Sequence, residues 1–132
     1  MLVPCEIAVK CALPAVRAMI AKELVTKHNL KQAEAAELLG VSQPAISLYS
    51  RKIRGNAINL EKDQDVKTLI EKLSNIIAKK NLSHKEFIVR FCEICRTIRA
   101  KGLLCKMHKN FEPSIDINDC ELCSTANLVK CF

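Results

Sequence analysis

An all-α fold is what composition and patterning predict for this chain, on three observations. Of its 132 residues 49% are hydrophobic, enough to supply a core. Only three glycines and four prolines are present, too few for the many turns of a β-sandwich. Apolar side chains recur at the three- and four-residue spacing of amphipathic helices, in runs bounded by helix-capping residues.

Each element follows from a local signal. Pro14 suits a first helical turn, and the helix it opens is expected to run to about Asn29, with Val16, Met19, Ile20 and Leu24 on one side and Lys22 and Lys27 elsewhere. Gln32 to Leu39 reads as a short Ala-rich helix and Gly40-Val41-Ser42 as a turn. Ser42 can cap a second short helix from Gln43 to about Arg51. Arg54-Gly55-Asn56 interrupts the pattern. Asp63 and Asp65 then open a longer helix whose Val66, Leu69, Ile70, Leu73, Ile76 and Ile77 form a stripe wide enough for a core or a dimer. Ser83 and Glu86 stand at capping-box spacing ahead of a helix with Phe87, Ile88, Phe91, Ile94 and Ile98, which Gly102 should end. Beyond Gly102 the periodicity fades into a polar stretch with Pro113, Asp116, Asn118 and Asp119, expected to be irregular and to need something else to hold it.

The two short helices are the most specific signal. The run Gln32-Ala33-Glu34-Ala35-Ala36-Glu37-Leu38-Leu39-Gly40-Val41-Ser42-Gln43-Pro44-Ala45-Ile46-Ser47-Leu48-Tyr49 closely resembles the helix-turn-helix of Cro and phage-repressor type regulators. Two crossing helices need a small residue where they touch, which Ala36 supplies, and a turn residue free to take positive φ, which Gly40 supplies. Leu39, Val41, Ile46 and Tyr49 then fall on the inward side. Ser42, Gln43, Pro44, Ser47 and Leu48 are left outward as candidates for base contacts, with Gln43 suited to adenine and Pro44 or Leu48 to a thymine methyl. Arg51, Lys52 and Arg54, with Gln32 and Lys31 at the start of the first short helix, are the candidate contacts to the DNA backbone. The alternative is a purely structural helical hairpin. The match is tight over about 20 residues and loose over the first 58, and it implies no chemistry for the rest.

The second half has a different character. Six of eight cysteines fall in the last 41 residues, and three pairs share one spacing: Cys92 with Cys95, Cys105 with His108, and Cys120 with Cys123. That spacing lets two side chains reach one metal, and the polar tail lacks apolar residues for a core of its own. Cys92, Cys95, Cys105, Cys120 and Cys123 are therefore the candidate ligands. An iron–sulfur cluster, [4Fe-4S] or [2Fe-2S], is the favoured centre, because neither Cys-x-x-Cys pair has the turn residue usual beside a zinc knuckle. Structural zinc on Cys92, Cys95, Cys120 and Cys123, a reversible disulfide, and plain core packing of Cys92 and Cys95 remain alternatives. Cys5, Cys11 and Cys131 read as packing or incidental thiols, although Cys5 could join a centre, and His28 and His84 as surface residues.

Charge agrees with the motif. The chain carries 21 Lys and Arg against 14 Asp and Glu, a formal +7, and residues 1–58 hold eight basic and four acidic side chains. No apolar run approaches the roughly 20 residues of a membrane span, and Glu6 and Lys10 interrupt any signal-like stretch, so a cytoplasmic protein is expected. No Gly-rich phosphate loop, paired catalytic carboxylates or nucleophile–base arrangement suggests an enzyme. The expected division is a DNA-binding domain at residues 1–58 and a helical dimerisation and cysteine-rich region at 59–132. The resemblance extends to compact archaeal regulators of the Cro and repressor class, and it implies a homodimer on double-stranded operator DNA. The helix from Asp63 to Lys80 is the candidate interface, and the cysteine centre a candidate sensor of redox or iron state.

Overall fold

The computed structural model describes residues 2–118 together with Cys120 and Cys123. All regular structure among them is helical, as composition and periodicity predict. The chain opens on α1 (Pro4–Ile7), widens through a π-helical turn (Ala8–Ala12) and continues as α2 (Leu13–Thr26) without a break. The sequence suggests a helix starting at Pro14; it starts ten residues earlier, with Pro4 in its first turn and the Val3 amide donating to Glu6 Oε2 at 2.8 Å. Pro14 is tolerated inside the helix because of the π turn. Proline lacks an N–H and its ring crowds the carbonyl four residues back, and the wider turn just before it relieves that crowding.

The two short helices form as expected, α3 (Gln32–Leu39) and α4 (Gln43–Ser50), with Ser42 Oγ accepting the Ala45 amide at 3.2 Å. Next comes α5 (Gln64–Ala78), whose first turn is capped by Asp63 Oδ1 on the Val66 amide at 3.1 Å. In α6 (His84–Ala100) the capping box is reciprocal: Ser83 Oγ accepts the Glu86 amide and Glu86 Oε2 accepts the Ser83 amide, both at 3.2 Å. Gly102, at φ +71°, closes that helix. The stretch after it is more ordered than expected: α7 (Cys105–Phe111) forms, burying His108 beside a buried Leu104, and Lys109 Nζ closes the next turn by donating to the Pro113 and Ile115 carbonyls, each at 2.6 Å.

One hydrophobic core joins both halves. Val16, Ile20 and Leu24 of α2 are fully buried with Ile46 of α4, Leu60 before α5, Val66, Ile70 and Leu73 of α5, and Ile94 and Ile98 of α6. The helix α2 is the common neighbour, packing on α3, α4 and α5, while α5 also packs on α6. The apolar stripe of α5, wide enough for a core or a dimer, is used by the chain's own core. Of that stripe on the Asp63 to Lys80 helix, Val66, Ile70, Leu73 and Ile77 are buried, and Leu69 and Ile76 are half-buried. No helix among the described residues is long and apolar enough to cross a membrane.

Candidate functional site

The paired helices α3 and α4 are built from a small set of local requirements. After α3 the chain reverses in a Schellman arrangement: the Val41 amide donates to the Ala36 carbonyl at 3.0 Å and the Gly40 amide to the Glu37 carbonyl at 3.2 Å, with Gly40 at φ +68°. Ala36 is 4% exposed, a small residue buried on α3. On α4, Ala45, Ile46 and Tyr49 are buried, while Gln43 and Pro44 are exposed and Ser47 and Leu48 half-buried. Arg51, Lys52 and Arg54 follow as exposed residues, and Arg54 lies 6.0 Å from the Tyr49 ring centroid. Lys31 is exposed and Gln32 half-buried at the start of α3. Ser42 is exposed, with its oxygen already accepting the Ala45 amide, so its hydroxyl proton and one lone pair are left for a partner.

Gly55, in sequence only a break in the pattern, proves structural. It has φ +76°, and a Cβ there would lie 2.7 Å from the Pro14 carbonyl oxygen and 2.8 Å from Ala18 Cβ. It thus lets the segment after α4 lie directly on α2. A cavity of about 440 Å³ remains between that segment and α2, lined by Met19, Val25, Tyr49, Ile58 and Leu60 with Lys22 and Arg54 among its polar residues.

A second cluster forms where α1 meets α7. His108 Nε2 donates to the Leu2 carbonyl at 2.8 Å, and the Leu2 amide donates to Glu112 Oε2 at 3.0 Å, so α7 grips the start of the chain from both sides. The Leu2 amide, and then His108, hold the Glu112 carboxyl below its ordinary pKa. Cys105, His108, Cys120 and Cys123 line one small cavity with Pro4. Burial, with Cys123 and Cys120 adding, pushes the Cys105 thiol up. Burial also raises Cys11, which behaves as a packing thiol in the core.

Beside this cavity stands Arg99, 6% exposed on α6. Its Nη1 lies 3.8 Å from Cys5 Sγ. Burial works against its charge, but hydrogen bonding to Cys123 and the fields of Cys5, Cys123 and Cys95 hold its pKa above the ordinary value. Of the five predicted ligands, the structure brings Cys105, Cys120 and Cys123 together and sets Cys95 near Arg99. Cys92 does not line the cavity, whereas His108 does and Cys5 lies at the adjoining Arg99. Among the described residues no three His, Cys, Asp or Glu side chains already stand in metal-holding geometry, and no disulfide joins any two described cysteines. Asp119 and Cys131 lie outside the described residues.

Comparison with family models, curated proteins and solved structures found no match.

Proposed function

We propose that this chain is a sequence-specific DNA-binding transcriptional regulator acting in the cytoplasm as a homodimer on a palindromic operator. The observation that carries the reading is the two-sided pattern of α4. Its buried side anchors it to α2 and α3, and its open side presents Gln43, Pro44, Ser47 and Leu48 beside the cations Arg51, Lys52 and Arg54. Such a helix fits a major groove, with amide and apolar contacts at base edges and cations at phosphates. Dimerisation supplies a second half-site about 34 Å away, since one short helix reads only a few base pairs.

The same proposal gives the cysteine cluster a thiolate-held centre, an iron–sulfur cluster in preference to zinc. The donor set supports it: Cys105, Cys120 and Cys123 meet at one cavity with His108 and Cys95 nearby. When bound, a cluster would supply a one-electron redox response and a cross-link. Iron, sulfide and zinc contents of anaerobically purified protein decide between the two.

The DNA-binding reading is tested by selecting operator sequences from random duplexes and titrating the preferred one. Gln43→Ala should cost about 1–3 kcal/mol on that duplex and relax preference at one position, whereas Arg51→Ala should weaken all duplexes alike and reduce the salt slope by about one. Equal losses on preferred and scrambled DNA for both variants would instead indicate an adaptor with a sequence-blind basic face.

A further inference from the structure

The segment after α4 is pinned to α2 at two places. Gly55 rests against Pro14 and Ala18 at one end, and Leu60, 1% exposed, is anchored in the core at the other. Between them the chain arches over α2 without filling the space beneath, and Met19, Val25 and Ile58 are left half-buried around it. The resulting cavity of about 440 Å³ falls within the range of small-ligand pockets, roughly 300–1,000 Å³, which combine an apolar lining with a few polar groups. Here the charged groups are mostly cations. Lys22, Lys52 and Arg54 line the cavity against one carboxylate, Glu61, which already accepts Lys22 Nζ at 3.0 Å. Lys52 and Arg54 are exposed beside the opening, and Arg54 lies 6.0 Å from the ring centroid of Tyr49, which forms part of the wall.

We propose that this cavity binds a small monocarboxylate with an apolar body, and that its occupancy weakens DNA binding. The apolar body covers Met19, Val25 and Ile58, and the carboxylate pairs with Arg54, whose planar fork of N–H donors matches two carboxylate oxygens. Lys52 adds a second positive charge to the same rim. An ammonium head would meet both as like charges, and a neutral head would gain little from either. Tyr49 and Ser50 are the last residues of α4, and Lys52 and Arg54 are the cations assigned to phosphates, so the cavity adjoins the surface proposed for DNA. A carboxylate held by Arg54 withdraws that cation from the DNA backbone and leaves a negative charge beside it. Ligand and duplex then weaken each other by the same factor. This consequence rests on the proposed DNA-binding reading, whereas the ligand site does not.

The chain carries its own reporter for the test. Tyr49 is its one tyrosine and it has no tryptophan, so tyrosine emission comes from the cavity wall alone. Octanoate, 1-octanol and octylammonium, none of which absorbs in the tyrosine band, are titrated into the full-length protein. Octanoate should change the emission saturably and bind about tenfold or more tightly than 1-octanol, with octylammonium weakest. Arg54→Gln should bring octanoate down to the level of 1-octanol, and Arg54→Lys should restore part of the difference. Val25→Phe, which fills the cavity, should abolish binding of both while helical circular dichroism and duplex affinity stay unchanged. Saturating octanoate should weaken binding of the selected duplex about tenfold in the unmodified chain and leave it unaltered in Val25→Phe. Equal affinities for the three probes, no saturable change in emission, or octanoate binding that survives Val25→Phe overturns the site. Octanoate bound without loss of duplex affinity overturns the coupling. A chain that binds octanoate as expected but prefers no duplex overturns the DNA-binding reading and leaves the ligand site standing.

Discussion

Gly40 and Gly55 both hold left-handed backbones, and they do so for different reasons. Around Gly40 a Cβ would meet nothing within 4 Å, so the glycine there serves the turn's backbone conformation alone. At Gly55 the conformation is equally special, and the Pro14 carbonyl also blocks the space. Gly40→Ala should therefore cost about 1–2 kcal/mol, the left-handed penalty alone. Gly55→Ala should cost roughly 2–4 kcal/mol, because overpacking against backbone adds to it. Chemical denaturation of the two variants checks this, and a smaller loss at Gly55 would contradict the packing described. Residue chemistry is legible in the sequence where one residue type has one job: Gly40 as the turn, and Ser42, Asp63 and Ser83 as caps. It is not legible for Cys5 and Arg99, which meet across 94 positions of chain, because no local spacing encodes such a meeting.

Element boundaries are most legible where caps are explicit. α3 matches its expected span, α4 ends within a residue of it, and α5 and α6 begin where Asp63 and Ser83 direct. The early start of the first helix escapes a reading by periodicity because the π turn at Ala8–Ala12 shifts the register of the buried residues Ile7, Ala8, Cys11 and Ala12 relative to Ala15, Val16, Ile20, Ala21 and Leu24 further along. α7 escapes the same reading because seven residues with two lysines give too little periodicity to detect. At this scale the caps yield a pH prediction. The Val66 amide, and then Lys101, hold the Asp63 carboxyl below its ordinary value of 3.8. A depressed folded-state pKa means its contribution is complete above that value and is lost as pH falls through the lower folded-state one. Asp63→Asn should accordingly flatten the acid limb of the stability curve below about pH 4, while leaving its shape at neutral pH unchanged. Ser83→Ala, which carries no charge change, should cost about 1 kcal/mol at every pH. Thermal unfolding across pH measures both.

At the scale of the whole molecule, α3 and α4 share their core with the helices that follow them. Ile20 and Leu24 of α2, Leu60, and Val66, Ile70 and Leu73 of α5 are all buried in one cluster. Residues 1–58 alone would leave the α5-facing side of α2 open to water. That fragment should show little cooperative unfolding and weak amide protection, whereas the full chain should unfold in one transition. A cooperative, protected fragment would mean that α5 and α6 contribute far less than their burial implies. The shared core also puts α1 and the pair α3 and α4 on one support, since α1, bearing Cys5, runs unbroken into the helix on which α3 and α4 rest.

The π turn at Ala8–Ala12 consequently works as an angular index between the two ends of that helix. It holds one residue more than an α turn would, and that residue sets the direction in which everything upstream points. Removing a single alanine from it should rotate α1 by about 100° about the shared axis, carrying Cys5 off Arg99 and Leu2 off Glu112 and His108, with little change downstream of Leu13. A one-residue deletion would then release α1 from α7 while α3 and α4 stayed seated on α2, and comparing amide-exchange protection at Leu2 with that of α3 and α4 in that variant would show how far the two ends depend on each other.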